Sequence, residues 1–279
     1  MPRLHAKHRT EISYAGPAIE SINEVHLSPL EDARQSVDWA RISVQPAADV
    51  QSHLDAFGNT VHWFQLVDAH DLLVVEAEAI VQTRPAPPPA MGGPGMEALA
   101  DSAYRDSLAE FLIPSVHVRW PRAVTAVRGR MELPEEGPVG GWLTTLESEV
   151  NRLVTYTPGA TMVDTPIEEV VRDRRGVCQD MAHLMIALCR DAGVAARYVS
   201  GWLHVPGLEG PAESHAWIEA AIPGAGWREF DPTHPAPAWE HYVRVALGRD
   251  YADVAPLRGS YSGAPTEAMR VVVEMSEVA

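Results

Sequence analysis

The chain has two cysteines, Cys178 and Cys189, a single lysine, Lys7, and no apolar run near the ~20 residues that a membrane-spanning helix needs. The opening stretch MPRLHAKHRTEISY runs straight into an alternating pattern, without the apolar core of a secretory signal. Two free thiols and no export signal set the expectation of a reducing cytoplasm. If both cysteines lie on one helix they stand about 16 Å apart, far outside disulfide reach. Basic residues are scarce beside acidic ones, and the formal net charge of −16 makes nucleic acid and anionic membranes poor partners. No C-x-x-C, H-E-x-x-H or acidic calcium loop occurs, although His183, His204, His215, His234 and His241 are available. The expectation is therefore an activity that needs no metal and no cofactor.

At 279 residues, with 46% hydrophobic and 22% charged residues, the chain can bury a full core as one large or two modest domains. Short segments rich in β-formers, among them TEISY, DWARISVQP, TVHWFQLV and LLVVEAEAIVQ, are separated by turn chemistry that includes Gly58-Asn59. They predict an all-β, sandwich-like N-terminal domain over residues 1–82. TRPAPPPAMGGPG, residues 83–95, reads as a Pro/Gly-rich linker. Residues 96–279 predict helices followed by an antiparallel sheet, so the fold class is α+β. Helices are expected over 97–112 and over 141–156, where Leu143, Leu146, Val150 and Leu153 form one stripe. Another is expected to follow Asp164-Thr165-Pro166.

The chemistry gathers on three residues. Cys178 opens the helical run CQDMAHLMIALCRD, in which Met181, Leu184, Met185 and Leu188 form the buried stripe and Gly193 the stop. A helix start carries partial positive charge and free N–H groups, which favour a thiolate and can bind an oxyanion. SHAWIEAAI and GWREFD form a hairpin about Pro223-Gly224, which makes His215 and Asp231 direct or diagonal neighbours. A carboxylate beside an imidazole fixes its tautomer and leaves the other ring nitrogen for the thiol. Alternation puts Trp217 on the face of His215, where an indole can shield that hydrogen bond. Cys189, deep in the same helix, reads as packing.

GVCQDMAHL, AARYVSGW, SHAWIE and EFDPTHP together resemble the transglutaminase-like superfamily, whose core shares the papain-like arrangement. NRLVTYTPGAT and VALGRDYADVAPLRGSYSG resemble its bacterial branch, which carries an N-terminal β domain. The resemblance implies Cys178 as nucleophile, His215 as general base and acid, and Asp231 as orienter. It implies attack on a carboxamide and a thioester intermediate, resolved by water or by a primary amine. The expected partner is a peptide or protein substrate, with an amine as a second acceptor. Tyr156 and Trp142 are candidates for a second oxyanion donor. Trp217, Arg249, Asp250 and Tyr251 are candidates for the substrate rim, with loop bracing the alternative for the GRDYADV segment. The competing expectation for the whole chain is a catalytically silent member of the fold that serves as a binding or scaffolding module.

Overall fold

The computed structural model describes residues 1–88, 91–206, 214–235 and 237–278. Pro89 and Ala90 of the linker, and Ala236 in the segment after Asp231, lie outside the described residues. The N-terminal unit is organised on one long strand, β1 (Arg3–Val25), in which buried and half-buried residues alternate from Leu4 to Thr10. β2 (Gln35–Gln45), β3 (Gln51–Leu54), β4 (Thr60–Leu66) and β5 (His70–Thr83) join it in the order β2-β5-β1-β4-β3. The turn between β3 and β4 falls where its residues predict. Gly58 takes a φ of 83°, and the Asp55 carboxylate accepts from the N–H groups of Phe57 and Asn59.

Past the linker, the continuous helix expected over 97–112 is broken into three pieces. A 3-10 turn, Met96–Ala100, is followed by α1 (Ser102–Ser107) and a second 3-10 turn, Ala109–Phe111. The cause is Asp101: its backbone is extended and its carboxylate accepts from the Tyr104 N–H, so it caps a new helix. α2 (Arg122–Arg128) and α3 (Val139–Leu153) follow, and α3 buries Leu143, Leu146 and Val150 as its stripe requires. β6 (Thr155–Tyr156) leads to α4 (Ile167–Asp173), β7 (Arg175–Gly176) and α5 (Cys178–Asp191), with β6 and β7 paired in parallel. β8 (Ala196–Leu203), β9 (Ser214–Ile222), β10 (Gly226–Phe230) and β11 (Tyr242–Gly248) form an antiparallel sheet in the order β10-β9-β8-β11. The chain ends with α6 (Tyr251–Val254), β12 (Leu257–Gly263) and β13 (Thr266–Glu277).

Those last strands fall elsewhere than the sequence division at residue 96 puts them. β12 pairs with Ala18–Val25 of β1, and β13 pairs with Leu4–Tyr14. β1 is thus central: β5 and β13 pair with its first part, and β4 and β12 pair with its last. The sandwich-like N-terminal unit is built as a single seven-stranded sheet. It curls so that Leu4, Tyr14, Phe64, Leu73 and Val81 share one core.

Three layers result. α3 and α5 cover one face of the four-stranded sheet through Leu146, Met181, Leu184, Leu188, Ile218 and Ala220. Trp202, Val243 and Val245 on that sheet enter the core of the curled sheet. Trp202 Nε1 donates to His8 Nδ1 at 3.1 Å, and burial holds the His8 imidazole down to about 4, which keeps that nitrogen an acceptor. Among the described residues no helix is long and apolar enough to cross a membrane.

Candidate active site

Cys178 is the first residue of α5 and is half-buried, while Cys189 on the same helix is fully enclosed. Burial pushes the Cys189 thiol up, away from thiolate formation. The start of α5 is fixed by Asp180, whose Oδ2 accepts from the Val177 N–H at 2.7 Å and from the Thr161 hydroxyl at 2.6 Å. A Cβ on Gly176 would lie 2.9 Å from Asp180, so only glycine lets the chain pass this cap. The Cys178 N–H is one of the donors that a helix start cannot satisfy internally.

His215 lies near the start of β9. The hairpin register pairs Phe230 with Ile218, so Asp231, one residue past β10, faces Trp217 and is diagonal to His215. His215 Nε2 and Asp231 Oδ2 are 2.7 Å apart, and Cys178 and His215 line the same cleft. With Nε2 turned to the carboxylate, Nδ1 is the nitrogen that can meet the sulfur. Burial pulls the imidazole towards neutrality. The Asp231 charge, its hydrogen bond and the thiol outweigh that pull, and the ring is pushed up to about 10. Burial likewise opposes charge on Asp231, but His215 holds its carboxyl far below the ordinary range.

Asp231 is saturated with donors. Its Oδ2 also accepts from the Tyr242 hydroxyl at 2.8 Å and lies 3.3 Å from His234 Nδ1, and its Oδ1 accepts from the Thr233 N–H at 2.8 Å. Behind it, the Asp231 N–H donates to Glu147 Oε1 at 2.6 Å. No motif marks Glu147, Tyr242 or Gly201. Glu147 nonetheless had a readable signal, since it is a carboxylate on the apolar stripe of α3, four residues from Leu143 and three from Val150. Gly201 pairs with His215 across β8 and β9, and a Cβ there would collide with the Trp217 ring and the Val243 carbonyl. A glycine inside a strand is the sequence sign of such a close approach.

Burial pushes the Glu147 carboxyl up to about 8. The folded protein therefore keeps a proton that the unfolded chain releases near 4.5, and stability falls as pH rises from about 4.5 to about 8. Glu147→Gln should remove that slope below pH ~6.5, above which His215 adds a loss of the same sign. Urea denaturation across this range measures it; an unchanged slope in the variant would exclude Glu147 as its source.

The other sequence candidates separate. Tyr156, Tyr198, Ser200 and Tyr251 line, with Cys178 and His215, a cleft of about 390 Å³. Val271 and Val273 of β13 form part of its wall, so the curled sheet contributes to the site. Trp142 is packed in the core between α3 and its neighbours, which removes it as an oxyanion donor. Trp217 is fully buried and stacks on His215 with ring centroids 5.9 Å apart. It shields the pair from behind, which its alternation predicts, and it cannot touch a substrate. Arg249 pairs with Asp253 at 2.8 Å, and Asp250 caps α6 and accepts from the His117 N–H, so both brace the loop. Only Tyr251 of that trio reaches the cleft.

The transglutaminase-like superfamily model matches residues 134–232, and the bacterial transglutaminase-like N-terminal region matches residues 4–82. An uncharacterised protein of Mycobacterium leprae is 35% identical over 284 residues, covering 100% of both chains. A protein-glutamine gamma-glutamyltransferase of Pseudomonas aeruginosa is 34% identical over 125 residues, covering 40% of this chain and 18% of its own. The crystal structure of a candidate cysteine protease from Cytophaga hutchinsonii superposes with a TM-score of 0.79 at 23% identity, covering 100% of this chain and 92% of the other.

Proposed function

This chain belongs to the transglutaminase-like superfamily, and on that membership we propose that it is a cysteine-dependent acyl-transfer enzyme acting on carboxamide groups of peptides or proteins. The observation that carries the reading is that Cys178 and His215 line one cleft, with the buried Asp231 carboxylate 2.7 Å from the His215 ring. The Cys178 thiolate attacks the carbonyl carbon, and the oxyanion that forms takes the Cys178 N–H, with Tyr156 at the cleft the candidate second donor. The His215 imidazolium gives its proton to the leaving nitrogen, and ammonia or an amine departs to leave a thioester. Neutral His215 then takes a proton from the incoming acceptor, which attacks the thioester and releases the thiolate.

Water as acceptor gives hydrolysis, and this is the reading placed first. Transamidation is the second reading. It is favoured by the partial likeness to the Pseudomonas aeruginosa gamma-glutamyltransferase, whose matched part covers 40% of this chain. With one lysine, the chain itself supplies almost no amine acceptor. The test is incubation with a peptide library, with and without a primary amine, followed by mass spectrometry of wild type and Cys178→Ala. Hydrolysed products that vanish in Cys178→Ala support the first reading, and amine adducts that vanish support the second. Full activity in Cys178→Ala would refute the mechanism. No product from either protein would favour a silent binding module.

A further inference from the structure

A cluster of side chains of metal-ligand type stands apart from the proposed catalytic residues. His204 is the residue after β8, His241 ends the 3-10 turn Trp239–His241 that leads into β11, and Glu277 closes β13. These three elements are distant in sequence, and none carries a metal motif. The fold nonetheless brings one ligand atom from each within 4.8 Å of the others. The two histidines are held as a pair by the backbone, since the His204 N–H donates to the His241 carbonyl at 3.0 Å. Their ring centroids are 5.7 Å apart.

The contacts do not suit an ordinary ion pair. Glu277 Oε1 is 3.9 Å from His204 Nε2 and 4.0 Å from His241 Nδ1, too long for hydrogen bonds. His241 Nδ1 is moreover buried and has no hydrogen-bond partner among the described residues, a costly arrangement for a polar nitrogen. A tetrahedral ion with bonds of ~2.0–2.2 Å holds its ligand atoms ~3.4 Å apart. The Glu277 oxygen, on a half-exposed side chain, stands ~0.5 Å beyond that spacing from each imidazole nitrogen. Two imidazoles and one carboxylate are the donor set of an open zinc-type site, with further positions left for water.

We propose that His204, His241 and Glu277 bind a divalent transition-metal ion of the zinc class. The ion ties the end of β13 to the ends of β8 and β11. It thereby joins the strand whose Val271 and Val273 wall the cleft to the sheet that carries His215. The site is separate from the acyl-transfer chemistry, which is expected to need no metal.

Titration calorimetry with zinc chloride, and visible absorption after adding cobalt chloride, test this on the full chain. Cys178→Ala serves as background, because a catalytic thiol beside an imidazole also attracts zinc. One equivalent should bind to wild type and to Cys178→Ala alike, and raise the thermal midpoint of both. Binding should weaken at least tenfold in His241→Ala and in Glu277→Gln. The second variant, at a half-exposed position, keeps the test open if the first does not fold. No binding, or binding that survives both variants, overturns the proposal. Binding lost in Cys178→Ala or His234→Ala instead would place the ion on the catalytic residues, and overturns it equally.

Discussion

Asp231→Asn is expected to lower kcat/KM by about 10³–10⁴-fold, the scale seen when the orienting carboxylate of a nucleophile–imidazole pair becomes an amide. The environment of Asp231 makes the substitution severe. Its two oxygens accept from Thr233, Tyr242 and His215, with His234 Nδ1 at 3.3 Å. An asparagine turns an NH₂ group towards some of those donors, so the ring loses its orienting partner and a buried polar group loses its match. The charge matters separately. Burial alone would hold His215 neutral, and it is the Asp231 carboxylate that chiefly pushes it up to about 10. Without that charge the ring should titrate below 6.5, leaving no cation beside the sulfur at neutral pH. Steady-state kinetics and an NMR titration of His215 read the two effects independently. A loss smaller than tenfold, or a ring still protonated at pH 8, would show that Asp231 does not orient this histidine. Tyr242→Phe keeps the charge and removes one donor, so its loss should stay near tenfold, about 1.4 kcal/mol.

What could be read from the sequence was what local chemistry dictates. Cys178 at a helix start follows from the apolar stripe of α5, and the His215–Asp231 meeting follows from counting back along the β9–β10 hairpin. Both depend on residues within one supersecondary unit. The parts that escaped depend on partners far away in the chain. Nothing in AMRVVVEM tells that its strand pairs with β1 rather than with β11, because a period of two names a covered face and not a neighbour. The same long-range closure brings Val271 to the cleft and Glu277 to His204 and His241. The break at Asp101 is a different failure. The helical period runs through residues 97–112, yet a short carboxylate able to cap the next turn overrides it.

Arg244→Leu is expected to cost about 3–5 kcal/mol of stability, the penalty for stranding buried carboxylates, and to lower Tm by on the order of 10 °C. Arg244 on β11 is buried, and burial works against its charge, but Glu219, Glu229 and Asp32 outweigh that and raise its guanidinium further. Its Nη2 pairs with Glu219 at 2.7 Å, and its Nη1 reaches Asp32 of the N-terminal unit. Arg34 of the same N-terminal segment pairs with Glu229 at 2.6 Å, and Gln35 bonds the Arg244 carbonyl and N–H. This network is therefore the polar joint between the curled sheet and the four-stranded sheet. It also reaches the candidate active site, because Glu229 accepts from Trp217 Nε1 at 3.1 Å and Trp217 backs His215. Removing Arg244 leaves Glu219 with Arg197 and Glu229 with Arg34, each short of one counter-charge. The double variant Arg244→Leu/Glu219→Leu removes one stranded charge along with its partner and should recover part of the loss. Urea denaturation of both variants decides the matter. A single-variant loss under about 1 kcal/mol, or a double variant that is weaker by the sum of two single losses, would mean that the ion pairs do not hold this joint and that apolar contacts around Trp202 and Val243 carry it instead.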